Sequence, residues 1–167
     1  MTSFLRKSGM FILDLVEIYI PSVSFTIMFL SFIVQIFTRY VLNNPLVWTY
    51  ELTIFGFIWT ALLGALYTKR KASHVKFTLL YDIYGPKTQI WVRIIGNGLI
   101  LIAFIIGFLP ALDYVLFMGF KRSTILNIPY NIAFFPFVIF MADMIGRLAV
   151  DVWKDVRILI KYKVAEA

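Results

Sequence analysis

Two acidic side chains near the start of the chain could in principle move protons. Asp14 and Glu17 are three residues apart, about one helical turn, and precede a long apolar run. Paired acids inside a membrane can form a proton relay. These two lie at the end of the run rather than in its middle, and the chain is rich in Lys and Arg. We therefore expect Asp14 and Glu17 to form structural ion pairs.

Catalytic and metal-binding chemistry finds little support in the sequence. His74 is the only histidine, and the chain contains no cysteine. One histidine cannot supply both axial ligands of a bis-histidine haem, and thiolate metal sites are excluded. The sequence contains no Glu-x-x-His pair, phosphate-binding glycine loop or Gly-x-Ser-x-Gly elbow. We therefore expect no enzyme, no catalytic residues, no cofactor and no metal site.

Four further charges lie at the short connections between apolar runs. Arg39 and Glu51 flank the turn between the first two runs, while Lys121 and Arg122 precede the fourth. Charges near lipid tend to pair, so we predict that an ion pair between Arg39 and Glu51 closes the turn. Contact of either residue with a partner protein is the alternative. Lys121 and Arg122 could extend to lipid phosphates or meet an acidic partner.

The segments that must position these side chains are strongly apolar. Hydrophobic residues make up 61% of the chain, against roughly 45–50% in soluble domains. Charge-free stretches cover residues 18–38, 52–68, 94–112 and 123–142, and about 20 helical residues cross a bilayer core. Their continuous apolar character, without alternation, argues against β-barrel strands. We predict an all-α, polytopic membrane protein of one domain, residues 1–167, with spans over about 12–38, 45–69, 90–117 and 123–146.

The second span contains the most informative pattern. Pro45 suits the first position of a helix, with Asn44 as its N-cap. Small residues recur every four positions from Gly56 to Gly64 and beyond, and such stripes let another helix approach closely. The stripe could serve packing within the chain or docking to another membrane protein. Trp48, Glu51, Phe55 and Trp59 share a second face, which we interpret as an aromatic packing wall.

The basic residues predict the orientation of the spans. Thirteen of the 16 Lys and Arg residues lie in the N-terminus, the connection between spans 2 and 3, or the C-terminal tail. The positive-inside rule places these segments, with both termini, in the cytoplasm. The formal charge of +7 is therefore a topology signal, and we expect contact with membrane lipid and none with nucleic acid.

Two segments are expected to be amphipathic rather than spanning. Residues 75–84 alternate imperfectly and are expected to lie along the membrane surface. In the tail, residues 147–167, charges recur four residues apart from Asp143 through Arg147 and Asp151. Opposite charges at this spacing support a helix, so we predict that the fourth helix continues beyond the membrane.

A specific resemblance covers about 40 residues, from Arg39 to Leu80. The residues that carry it are Arg39-Tyr40, Asn43, Pro45-Leu46, Trp48, Glu51, Trp59, Leu63-Gly64-Ala65, Arg70 and His74-Val75. This pattern resembles the signature of the small membrane (Q) subunit of TRAP transporters, the tripartite ATP-independent periplasmic carriers. The chain departs from that pattern at Thr78, where relatives often carry an acidic residue, and at Tyr67 and Thr68.

The resemblance implies a function that composition and spacing do not. It implies an accessory scaffold in a bacterial inner membrane, paired with a large membrane subunit that binds sodium and the solute. A periplasmic binding protein would deliver the solute, an organic acid such as sialic acid or a C4-dicarboxylate. The candidate scaffold and partner-contact residues are Arg39, Pro45, Trp48, Glu51, Gly56, Trp59, Gly64, Arg70, His74, Lys121 and Arg122.

Two other function classes remain open from the residues alone. A stand-alone small multidrug-type transporter would need an ionisable acid deep in a span, whereas the acids here lie towards the ends. A membrane anchor for a redox complex would usually bind haem, which the single histidine disfavours.

Overall fold

The computed structural model describes residues 10–71 and 85–165, and it contains four long helices. Helix α1 covers Met10–Tyr40 and includes a π-helical turn, Leu15–Tyr19, followed by the α-helix Ile20–Tyr40. Helix α2 covers Val47–Lys71, α3 covers Pro86–Phe117 with a 3-10 turn at Met118–Phe120, and α4 covers Tyr130–Ala165. All four are long and apolar enough to cross a membrane. The predicted all-α, four-span architecture is confirmed.

Helix α2 begins two residues later than predicted, at Val47. The backbone of Asn43 is left-handed, with φ of 49°, and the N–H of Asn44 donates to the carbonyl of Thr38. Asn and Gly are the residues that most easily end a helix in this conformation. Asn44 is therefore engaged in closing α1, and the prediction that it caps α2 with Pro45 at the first helical position is wrong.

Helix α4 also begins later than the predicted span, at Tyr130 rather than near Ser123. Residues 121–129 form a tight loop with an isolated antiparallel bridge between Arg122 and Pro129. Asn127 adopts a positive φ of 54° at the tip of this loop. At its other end α4 continues as one helix to Ala165, as the spacing of the tail charges predicts.

The helices pack side by side in the order α1, α2, α4, α3. Extensive contacts join α1 to α2, α2 to α4 and α4 to α3, among the residues that the structure describes. Helices α1 and α3 are therefore the two edges of a layer rather than neighbours in a closed bundle. We call the end where α1 begins and α2 ends the terminal end. The opposite end, with residues 41–46 and 118–129, is the hairpin end.

The core of this layer is narrow. Fully or almost fully buried apolar side chains follow the α2–α4 and α3–α4 contacts and include Leu63, Leu66, Val115, Ala133, Met141 and Leu148. Most other large apolar side chains of the spans are exposed. A soluble protein rarely exposes so much contiguous apolar surface, so these faces are suited to lipid or to a membrane partner.

Candidate functional site

A cluster of ion pairs at the terminal end joins three of the four helices. Its centre is Glu17 of α1, whose side chain is only 1% exposed. Arg70 of α2 places Nε 2.7 Å from Glu17 Oε2 and donates through Nη2 to Asp14 Oδ1, also at 2.7 Å. From α4, Arg147 donates to both Glu17 and Asp143. The expected structural pairing of Asp14 and Glu17 is confirmed.

The π-helical turn explains how Glu17 reaches this position. The N–H of Ile20 donates to the carbonyl of Leu15, five residues back, which is the hydrogen bond of a π-helix. Pro21 follows directly, and it has neither an N–H to donate nor room for the carbonyl four residues earlier. The wider turn relieves this conflict at the carbonyl of Glu17. Glu17 lies where α1, α2 and α4 meet, so its side chain is close to Arg70 of α2 and Arg147 of α4.

Two further ion pairs extend the cluster along α4. Lys69 Nζ of α2 lies 3.2 Å from Asp151 Oδ2, and Arg93 Nη2 of α3 lies 2.7 Å from Asp155 Oδ1. The charged residues that recur every four positions in α4 therefore also form ion pairs with the other helices. Each of the three helix contacts in the layer, α1–α2, α2–α4 and α3–α4, carries at least one ion pair at the terminal end.

A second polar site lies at the hairpin end, on Glu51 of α2. Its carboxylate accepts the backbone N–H groups of Ile125, at 3.1 Å, and Leu126, at 2.9 Å. Inside the loop, Ser123 exchanges hydrogen bonds with Ile128: its N–H donates to the carbonyl, and its hydroxyl accepts the N–H. Charged acceptors make stronger hydrogen bonds than neutral ones. Glu51 therefore holds the loop of residues 121–129 against α2.

The predicted ion pair between Arg39 and Glu51 is wrong. No ion pair joins them among the described residues, and the guanidinium of Arg39 lies 5.7 Å from the ring centroid of Tyr40 instead. The carboxylate of Glu51 accepts two backbone N–H groups of the α3–α4 loop, while Arg39 is exposed on α1. The carboxylate therefore joins α2 to the α3–α4 loop rather than to α1.

The small-residue stripe of α2 packs within the chain at the position where the structure tests it most closely. A Cβ added to Gly56 would meet Met28 Cβ of α1 at 2.8 Å and the carbonyl of Ser24 at 3.1 Å. At Gly64 the nearest atom would be Pro21 Cβ, at 4.0 Å. The stripe is thus the contact surface of α1 and α2, which is the intramolecular interpretation of the pattern.

The other predicted contact residues are spread over both ends. The ring centroids of Phe55 and Tyr130 of α4 lie 6.3 Å apart in an edge-to-face arrangement, so part of the aromatic face packs against another helix. Trp48 is exposed, Trp59 is half-buried, and Pro45 is exposed in the turn between α1 and α2. Lys121 and Arg122 are both exposed on the loop that Glu51 holds. His74, Thr78 and the expected surface segment, residues 75–84, lie outside the described residues.

Sequence reasoning missed Arg147 and Asp143 as members of the central cluster. Their separation of 130 and 126 residues from Glu17 hides the contact, and only the four-residue spacing of Asp143 and Arg147 was visible. The anchoring of residues 125 and 126 by Glu51 was missed for the same reason. Within the described ranges, no group of three or more His, Cys, Asp and Glu side chains is placed to hold a metal ion.

The fold and these sites define a multi-pass helical membrane protein whose polar groups bind its own helices and loops. Residues 28–158 match the family model of the DctQ component of tripartite ATP-independent periplasmic transporters. The match covers most of the chain, so the protein belongs to this family, the small membrane component of TRAP transporters. The family is a transporter component and not an enzyme family. A comparison with curated proteins finds no match.

Proposed function

We propose that this protein is the static scaffold of a sodium-coupled TRAP transporter that imports an organic acid across a bacterial inner membrane. A large membrane subunit would bind the sodium ions and the solute, and a periplasmic protein would deliver the solute. Sialic acid or a C4-dicarboxylate is the solute type that the family resemblance suggests. The terminal end would face the cytoplasm, in keeping with the distribution of Lys and Arg.

The Glu17 cluster is the observation that carries the scaffold assignment. A carboxylate that binds and releases an ion during transport must be able to lose its partners. Glu17 is buried between Arg70 and Arg147, and those two guanidiniums are also bound to Asp14 and Asp143. Such a closed set of partners favours fixed relative positions of α1, α2 and α4 over a changing conformation.

Co-purification tests this proposal most directly. The tagged chain is expressed with the large membrane protein encoded beside it and extracted in mild detergent. We expect a stable one-to-one complex, and we expect sodium-dependent uptake in liposomes only when the large subunit and the binding protein are present. If the chain purified alone and transported a solute by itself, the scaffold assignment would be refuted.

The exposed loop at the hairpin end supports a second part of the proposal, contact with the binding protein. Lys121 and Arg122 project from a loop that Glu51 fixes to α2, so their positive charge is presented from a defined position. Complementary charges accelerate encounter and lose this effect in salt. An acidic patch on the binding protein would therefore associate faster with this loop at low ionic strength.

A charge-reversal experiment distinguishes this contact from simple attachment to lipid phosphates. In the Lys121→Glu/Arg122→Glu variant we expect association of the binding protein with the complex in detergent to slow about tenfold at low salt and to lose most of its salt dependence. Arg39→Glu is the matched control, because Arg39 is exposed at the same end but outside the loop. Unchanged association, or an equal effect of both variants, would count against a docking role of the loop.

A further inference from the structure

The outer face of α3 carries an unusual combination of apolar and polar groups. Helix α3 is an edge of the layer, and its extensive contacts among the described residues are with α4. Away from α4, exposed residues recur at alternating spacings of three and four along the helix: Ile95, Leu99, Ile102, Ile106, Leu109, Asp113 and Leu116. This spacing is the one that one helix presents to another along its length. Leu and Ile side chains alone would suit a lipid-facing surface equally well. Asp113 is the residue that distinguishes a surface for a partner helix from a surface for lipid.

Asp113 is an exposed carboxylate inside this apolar stripe. No hydrogen bond or ion pair reaches it from any residue that the structure describes. The stripe continues beyond it with Leu116 and Phe117, and Phe117 is 67% exposed. The carboxylate therefore lies within the apolar surface, before the basic residues Lys121 and Arg122 that end the span.

Pro110 removes a helical hydrogen-bond donor on the same face. Proline has no N–H, so the carbonyl of Ile106, four residues earlier, lacks its usual helical donor. Pro110 and Ile106 are both exposed and share the face of Asp113 at spacings of three and four. In a membrane, such freed groups are tolerated where a neighbouring helix or side chain supplies a donor. Carbonyl and carboxylate together call for a partner that donates hydrogen bonds.

The other edge of the layer provides the comparison. Helix α1 also exposes large apolar residues, such as Phe29 and Ile33, and its run from Ile18 to Thr38 contains no ionisable side chain. The exposed hydroxyl groups of Ser22 and Thr26 bond to the backbone of α1, at the carbonyls of Ile18 and Ser22. That face therefore presents lipid with no ionisable side chain between Ile18 and Thr38. The two edges therefore differ in the exposed carboxylate that α3 carries within its apolar stripe.

We propose that the Ile106–Asp113 face of α3 is the surface that receives the large subunit, through a transmembrane helix that presents a Lys or Arg side chain to Asp113. This assignment rests on the proposed function and specifies which edge of the scaffold is used. Ionisable side chains within spans are generally paired, and the N–H groups of a Lys or Arg side chain donate to carboxylates and carbonyls alike. Helix α1 would then face lipid.

The absence of cysteine makes cross-linking a clean test of the edge. Single-cysteine variants Ile106→Cys on α3 and Ile33→Cys on α1 are labelled with a benzophenone maleimide in membranes that also contain the large subunit. We expect light to join the large subunit to the α3 variant at least about tenfold more efficiently than to the α1 variant, since efficiency follows contact. Cross-linking from α1 only, from neither edge, or to a second copy of this chain would overturn the proposal.

Substitution of Asp113 tests the chemistry of the contact. Removing one member of a buried ion pair leaves the other charge uncompensated. In Asp113→Leu we therefore expect retention of the large subunit during purification to fall about tenfold or more, with Asp113→Asn intermediate. The isolated Asp113→Leu chain should remain as monodisperse and as heat-resistant as the unmodified chain, because no described residue depends on this carboxylate. Normal retention would exclude the ion pair, whereas failure of the unmodified chain to bind the large subunit would refute the proposed function itself.

Discussion

The Glu17 cluster leads to a direct prediction about stability. The substitution Glu17→Gln keeps the shape of the side chain but removes its charge from between Arg70 and Arg147. Removing one partner of a buried ion pair costs about 3–5 kcal/mol. Asp14 and Asp143 would still bind the two guanidiniums, so we expect the lower end of this range, about 3 kcal/mol.

The expected loss is large enough to measure as heat resistance in detergent. In a chain of this size each kcal/mol moves the unfolding midpoint by roughly 2–4 °C, so Glu17→Gln should lower it by about 6–12 °C. The assay heats the detergent-solubilised protein and follows the monodisperse peak by size-exclusion chromatography. Because membrane proteins often unfold irreversibly, all variants are compared at one heating rate.

Asp14→Asn is the matched control for this prediction. It removes a carboxylate from the same cluster and the same Arg70, but the side chain of Asp14 is 42% exposed. Solvent screens such a pair, whose contribution is typically about 0–1 kcal/mol, so the midpoint should fall by no more than about 4 °C. Equal shifts for the two variants, or a Glu17→Gln midpoint within about 2 °C of the unmodified protein, would refute the view that burial makes Glu17 the central residue.

Three smaller predictions follow from contacts between helices and within the loop. Gly56→Ala should destabilise the chain by about 1–3 kcal/mol, because its Cβ would overlap Met28, whereas Gly98→Ala, which has open space, should not; thermal midpoints check both, and equal shifts would contradict the close contact. Glu51→Gln should weaken the hold on the loop and increase protease cleavage between residues 121 and 129, and unchanged cleavage would show that the carboxylate is dispensable. Ser123→Ala should also increase cleavage, because its hydroxyl accepts the N–H of Ile128, a hydrogen bond of about 1 kcal/mol, and bonds to the Glu51 carboxylate.

The sequence was sufficient for the number and type of helices because each span is a long charge-free run. The same criterion failed at Ser123, where the fourth run begins without a charge although its first seven residues form a loop. Asn127 and Pro129 were the local signs of that loop, since Asn tolerates a positive φ and proline is disfavoured in a helix beyond its first turn. Hydropathy contains no information about either property.

The partners of the charges could not be predicted, for a different reason. Glu51 lies 74 residues from Ile125 and Glu17 lies 130 residues from Arg147, so no local spacing connects them. The Arg39–Glu51 prediction relied on closeness along the chain and assumed that a charge bonds to another charge. Two backbone N–H groups satisfy the Glu51 carboxylate instead, and such donors are present in every loop.

The order of the helices explains how the ion pairs connect the Asp113 surface to the rest of the layer. Helix α3 is attached to the layer only through α4 in the extensive contacts of the described residues, by Arg93 and Asp155 at one end and by Phe104 against Phe140 further along. Helix α4 is in turn fixed to α1 by Arg147 with Glu17 and to α2 by Asp151 with Lys69. A partner helix bound at Asp113 would therefore press α3 onto a support that is already held by ion pairs. The same series of contacts reaches α1 through Arg147 and Glu17, so α1 is held in the layer by its own neighbouring helices.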